Sequence, residues 1–343
     1  IQYKSKMTPI YNQLLIPFLT AMVVAITMGG SGTAPAFSAS YGANVMRKSL
    51  IPGLFGIMVF VGAFLAGKKT ASTMGSGILP AEYMDFTVVS IALFSIAVTM
   101  LISNISGIHQ STSQAAVLAL AAPALYFNKL DTHNLFVEII PAWFILPIIS
   151  YFLSFFAGKY IYQPMRRRGL TIQRAQNENK RHIWEVVLVI MALYVSFAIG
   201  SNNVANAAGP LYTMTINELH IRESDHIVIL MLATLVVAPC FGIGASLFGH
   251  KILKNTGKEI ILFGKFEAVI IAFISGSLLL LASVVKGIPT SLVQVNVAAI
   301  LGIGVAKMGH KNIFRKTQVK RFFTMWMIAP VISFLLSLLL IFL

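Results

Sequence analysis

Charge is what this sequence has least of. Only 11% of its residues are Asp, Glu, Lys or Arg, where a soluble domain carries about 25%. Hydrophobic residues make up 57%, and the mean hydropathy is +0.81. A water-soluble globule of this composition would lack polar surface, so lipid is the implied solvent. One cysteine is present, Cys240, inside an apolar run. That excludes an intramolecular disulfide, and a small buried side chain is expected instead. The seven His residues are scattered without ligand spacing, so no metal centre is expected. A phosphate loop, a redox motif and intramembrane clusters of acids, His or Cys are all missing. Neither a cofactor nor an enzyme activity is expected.

Of the charges that remain, 26 are Lys or Arg and 11 are Asp or Glu, a net charge of +15. They sit in short gaps between apolar segments, with no basic face and no aromatic platform. Nucleic acid is therefore not an expected partner; basic cytoplasmic loops are. The stretch 163–182 holds Arg166, Arg167, Arg168, Arg174, Lys180 and Arg181 against Glu178. The stretch 306–321 is basic with no acid, and 250–265 is basic too. The 218–225 and 128–138 loops are acidic or neutral and fit the outside. Lys4, Lys6 and the Lys68–Lys69 pair also fall outside on this scheme, against the rule.

A spanning helix needs about 20 mostly apolar residues. Such runs lie at 10–28, 48–66, 86–104, 135–162, 183–199, 226–249, 262–285 and 322–343. Segments 107–127 and 287–308 are apolar but open with polar clusters. Segments 29–46 and 200–217 are rich in Gly, Ala, Ser and Asn and read as broken. No cleavable signal is expected, because the first apolar run is long and leads into more of the same.

The chain repeats itself. GGSGTAPAF around Gly29 matches GSNNVANAA around Gly200, an offset of 171. AGKKTASTMGSGI at 66–78 matches FGHKILKNTGKEI at 248–260, keeping Gly67/Gly249 and Lys69/Lys251, an offset of 182. GIHQSTSQAAV at 107–117 matches GIPTSLVQVNV at 287–297, keeping Ser111/Ser291 and Gln114/Gln294, an offset of 180. The expected fold is an all-α integral membrane protein of two inverted repeats of about five helices, residues 1–162 and 183–343. The basic loop 163–182 joins them on the cytoplasmic side. Inverted repeats with broken or re-entrant helices place a site near the bilayer midplane.

The candidate site follows from the polar clusters. Glycines and polar residues inside lipid are costly unless protein or a cavity satisfies them. A helix N-terminus carries roughly half a positive charge and free N–H groups, which suits an anion without any charged side chain. Ser31, Gly32 and Thr33 in the first repeat, and Asn202, Asn203 and Asn206 in the second, are candidate contacts. Close packing of small residues between helices is the plain alternative. Ser111, Thr112 and Ser113 in the first repeat and Ser291 in the second open helices, either as caps or as further contacts. Glu267 and His109 are candidate carriers of a coupling proton. The alternatives are an interfacial acid near Lys265 and a satisfied hydrogen-bonding His.

SNNVANAAGP at 201–210 resembles the GANDVANAxGP signature of the inorganic phosphate transporter (PiT) family. GIHQSTSQ and GIPTSLVQ resemble its repeated GLPVSTTH. The resemblance covers nearly the whole chain and implies a cation-coupled phosphate symporter whose signature Asp residues bind sodium. This sequence departs from that pattern. Gly32 and Asn203 stand at the Asp positions, Gln114 and Gln294 at the His positions, and Val59 where the first repeat would carry an acid; Glu267 is taken as the surviving acid of the second repeat. Hydrogen phosphate can donate a proton to a carboxylate, whereas sulfate has only acceptors, and a carboxylate beside it repels it. The losses resemble the sulfate permease branch. The expected function is a secondary symporter of the cell membrane for a tetrahedral anion, sulfate before phosphate, coupled to H+. A phosphate symporter and an anion channel are the alternatives, and a homo-oligomer is compatible with the sequence.

Overall fold

The computed structural model describes residues 8–106, 110–168, 178–249, 264–315 and 317–343. His109, the centre of the 163–182 loop and the second lysine–glycine motif beyond Gly249 lie outside these residues. The described residues form helices joined by short loops: α1 (Thr8–Gly42), α2 (Ile51–Ala66), α3 (Lys68–Ser76), α4 (Phe86–Ser106), α5 (Thr112–Tyr126), α6 (Asn134–Arg167), α7 (Glu178–Asn203), α8 (Ala205–Leu219), α9 (His226–Gly244), α10 (Lys265–Leu281), α11 (Leu292–Met308), α12 (His310–Phe314) and α13 (Thr317–Phe342). Among the described residues eight spans are long and apolar enough to cross a membrane; they overlap the eight long runs of the sequence, the first and fifth continuing to Gly42 and Leu219. This is a multi-pass, all-helical membrane protein. Large apolar side chains such as Leu65, Phe144, Leu235 and Phe342 point outward along the spans, where lipid replaces the water that would penalise them. Helices α5 and α11 are shorter, 15 and 17 residues. At 1.5 Å per residue they rise only about 22 and 25 Å.

Loops segregate by charge. At one end the 77–86, 128–134 and 217–225 segments are tied together: Asp131 N donates to Ile78 O at 3.1 Å, Asn217 to Met84 O at 3.2 Å, and Phe86 N to Glu218 Oε1 at 2.9 Å. At the other end the basic segments meet. Gln163 donates to Ala306 O, Lys265 pairs with Glu185 at 2.6 Å, and Lys307 pairs with Glu267 at 3.2 Å.

The expected break at 29–46 does not fall in its Gly-rich part, and α1 ends only at Gly42. Helix α1 runs unbroken through Gly29–Thr33. Its hydroxyls donate back along the helix, Thr27 to Val24 O at 2.8 Å, Ser31 to Met28 O at 3.0 Å and Thr33 to Gly29 O at 2.7 Å. Such back-bonding satisfies a hydroxyl in lipid without breaking the helix. The glycines serve packing. A Cβ on Gly29 would lie 2.2 Å from Phe241 O, and one on Gly244 would lie 1.8 Å from Ile26 O, so α1 and α9 cross backbone to backbone. A second crossing joins α2 and α7: a Cβ on Gly200 would lie 2.0 Å from Val59 O, and one on Gly62 would lie 2.0 Å from Phe197 O. The two crossings correspond residue for residue. Gly29/Gly200 and Ile26/Phe197 differ by 171, and Val59/Phe241 and Gly62/Gly244 by 182, the offsets of the sequence repeat.

That register corrects one assignment. The counterpart of Val59 is Phe241, so Glu267 is not its partner. Glu267 opens α10, the counterpart of α4. The second expected break shrinks to a one-residue join at Val204, whose angles (φ −60°, ψ −34°) stay helical. Non-helical backbone inside the protein lies instead before α5 and α11. Ser111 (ψ 109°) and Ser291 (ψ 106°) are extended, and Gly287 adopts φ +67°. A side chain at Gly287 would be strained and would meet Lys69 O at 2.8 Å.

Candidate functional site

The N-termini of α5 and α11 meet in the protein interior. Ser111 and Ser291 cap them alike: Ser111 Oγ accepts from Gln114 N at 3.2 Å, and Ser291 Oγ from Gln294 N at 3.3 Å. The first-turn glutamines then exchange hydrogen bonds, Gln114 Nε2 to Gln294 Oε1 at 3.2 Å and Gln294 Nε2 to Gln114 Oε1 at 2.9 Å. Residues matched by the repeat thus touch each other. The first intrahelical bonds of the two helices run from Ala115 N to Ser111 O (3.3 Å) and from Val295 N to Ser291 O (3.1 Å). The amides of Thr112, Ser113, Leu292 and Val293 come before them, and each terminus adds about half a positive charge.

The α7–α8 join closes over this pair. Asn203, the last residue of α7, donates to Thr112 Oγ1 at 3.1 Å, and Asn206 donates to Ser113 Oγ at 3.1 Å. Asn202 reaches the other terminus. Its Nδ2 donates to Ser283 Oγ at 2.8 Å and to Ile288 O at 2.9 Å, while its Oδ1 accepts from Thr290 N at 3.0 Å. Ser113 Oγ is 3.4 Å from the same Oδ1. From α6, Trp143 Nε1 donates to Pro289 O at 3.0 Å and Ser150 Oγ to Val295 O at 2.8 Å, fixing the unwound approach to α11. All of these polar side chains are buried. None of the residues in this cluster is Asp, Glu, Lys or Arg. Three oxygens in it, Asn203 Oδ1, Asn206 Oδ1 and Thr290 Oγ1, have no hydrogen-bond partner. Leaving a buried polar atom unpaired costs about 1–3 kcal/mol.

Ser111, Thr112, Ser113, Asn202, Asn203, Asn206 and Ser291 therefore come together. Ser31 and Thr33 do not join them; their hydroxyls are committed to α1, and Thr33 packs on Gly249 while Gly32 packs on Phe55 and Ile199. Sequence reasoning missed Ser283 and Trp143, single polar groups in apolar helices with no motif around them. Glu267 is buried in the first turn of α10 and bonded to Lys307, whereas Lys265 goes to Glu185. Sixteen residues separate Glu267 from Ser283, a helical rise of about 24 Å. The acid is not part of the cluster.

A model of the phosphate transporter family matches residues 28–337. The chain belongs to the phosphate transporter family. Among curated relatives of this family member, a sulfate permease (CysP) of Bacillus subtilis is 30% identical over 95% of this chain and 87% of its own. A putative phosphate permease of Pyrococcus abyssi is 23% identical over 94% of this chain and 96% of its own. The fold of a solved sodium-dependent phosphate transporter superposes with a TM-score of 0.83 at 19% identity, covering 96% of this chain and 98% of that one. Membership of the phosphate transporter family makes this chain a transporter rather than an enzyme.

Proposed function

We propose that this chain is a secondary carrier that brings sulfate across the cell membrane by symport with protons, with the basic 163–182 loop in the cytoplasm. The observation that carries the substrate is the cluster itself. Two helix N-termini, Ser111, Thr112, Ser113, Ser291 and the amides of Asn202, Asn203 and Asn206 offer neutral donors, and no carboxylate stands among them. Sulfate accepts at every oxygen and donates at none, so such a site holds it and gains nothing from an acid. Binding requires the Gln114–Gln294 exchange to open and the asparagine amides to turn their N–H groups inward.

The matching crossings and the touching glutamines support inverted halves, each able to take the other's conformation, which is the basis of alternating access. One observation favours phosphate as the second reading. The free Oδ1 atoms of Asn203 and Asn206 are acceptors, and hydrogen phosphate could donate to one. Uptake of labelled sulfate, competed by unlabelled sulfate or phosphate, separates the two; stronger competition by phosphate sinks the sulfate reading. Glu267 is proposed as the carrier of the coupling proton, acting from the basic end rather than at the anion. Glu267→Gln is expected to keep anion exchange and lose gradient-driven accumulation. Full accumulation in that variant removes it from the mechanism.

A further inference from the structure

At the basic end of the molecule, a pocket of about 350 Å³ opens between the ends of α6 and α11, lined by Tyr162, Gln163, Arg166, Arg167 and Lys307. Among the described residues, every charged side chain lining it is a cation. Part of the wall is fastened, at Tyr162, Gln163 and Lys307. Gln163 donates to Ala306 O, tying α6 to α11. Lys307 Nζ lies 3.2 Å from Glu267 Oε1 and 5.4 Å from the centroid of the Tyr162 ring. The Tyr162 ring stacks on Phe266 at 6.5 Å. Trp184 meets Phe266 edge-on at 5.2 Å, and the neighbouring Lys265 is neutralised by Glu185.

Glu267 sits behind Lys307, in the wall, and Arg166, Arg167 and Lys307 line the space. Guanidinium groups hold tetrahedral oxyanions by paired N–H donors, and an ammonium adds a point charge. The volume exceeds the share of about ten waters, enough for such a group and part of its hydration or attached alcohol. Basic pockets between membrane helices are known to take phosphate headgroups. The central cluster has no charged residue, and Gln294 in it stands 13 residues from Lys307 along α11, about 20 Å.

We propose that this pocket is a second oxyanion site, which takes one phosphate- or sulfate-type group through Arg166, Arg167 and Lys307. The group is either the free anion at the basic mouth of the protein or the phosphate of an anionic lipid. The site stands whether or not the central cluster carries sulfate.

The test uses the full chain in two settings. In nanodiscs of phosphatidylcholine, at low ionic strength, sulfate and then phosphate are titrated and binding is read by calorimetry and Trp fluorescence. In detergent, native mass spectrometry counts retained phosphatidylglycerol. Arg166 and Arg167 are exposed, so Arg166→Gln/Arg167→Gln should fold, with an unchanged melting temperature as the check. An Asn202→Ala/Asn203→Ala variant isolates the central cluster. The expected result is that the arginine variant weakens one binding event by about tenfold or more, while the asparagine variant keeps it. Loss of the inorganic anion assigns the free ion, and loss of retained lipid assigns the headgroup. If the arginine variant changes neither, the proposal is overturned.

Discussion

Asn203→Asp puts a carboxylate where the family signature carries one and where this chain has an amide bonded to Thr112 Oγ1 at 3.1 Å. For a doubly charged sulfate about 5 Å away, at an effective dielectric near 20, the repulsion is about 7 kcal/mol. The protein has a cheaper way out. Protonating a carboxyl of ordinary acidity at pH 7 costs about 4 kcal/mol, and the smaller cost sets the loss. Sulfate affinity should fall about a thousandfold at pH 7. The sign of the pH effect follows: each unit of acidification makes protonation about 1.4 kcal/mol cheaper, so the loss shrinks about tenfold per unit and vanishes near pH 4. Hydrogen phosphate can donate to the new carboxylate and should lose much less. The assay is labelled uptake into liposomes from pH 5 to 7.5, read as the ratio to Asn203→Ala at each pH, which removes the loss of the amide and any pH effect of the driving force. Sulfate transport at or above the Asn203→Ala level at pH 7, or a ratio that does not move with pH, refutes the placement of the anion beside Asn203.

Gly244→Val should lower the melting temperature of the purified protein, because its Cβ would lie 1.8 Å from Ile26 O; overpacking of this kind costs about 1–3 kcal/mol or more. Gln114→Leu alone should destabilise by about 1–3 kcal/mol by orphaning the Gln294 amide, and the double change with Gln294→Leu should recover most of that loss in a denaturation cycle. Ser31→Ala and Thr33→Val should leave uptake within about twofold, since those hydroxyls bond within α1 at 3.0 and 2.7 Å; Ser113→Ala should reduce it more.

The spans were legible because hydropathy is summed over a whole crossing, and isolated polar residues do not change the sum. The meeting of α5 and α11 was legible in the matched GIHQSTSQ and GIPTSLVQ segments, whose serines cap and whose glutamines touch. The continuity of α1 was not. A Gly-Gly-Ser-Gly-Thr run looks the same whether it breaks a helix or lets another backbone approach, and only the carbonyls of Phe241 and Ile26 decide between the two. The partner of Glu267 was not legible either: its sequence neighbour Lys265 bonds elsewhere, and Lys307, which it meets, lies 40 residues on. A fourth match escaped notice. PIISYFLS at 147–154 and PVISFLLS at 330–337 keep Pro147/Pro330, Ser150/Ser333 and Ser154/Ser337. These segments place α6 against α11 through Ser150 Oγ and Val295 O at 2.8 Å, and α13 against α5 through Ser337 Oγ and Ala119 O at 2.7 Å. Apolar spacing hid it, because Ile, Leu and Phe recur by chance in any spanning helix.

The central claim is most directly tested by uptake of labelled sulfate into liposomes carrying the purified protein, under an imposed proton gradient and then under a sodium gradient alone. Sulfate accumulating with protons and without sodium is the predicted result. Phosphate accumulating in its place, or a strict need for sodium, would contradict the meaning given to Asn203 at the position of a signature acid.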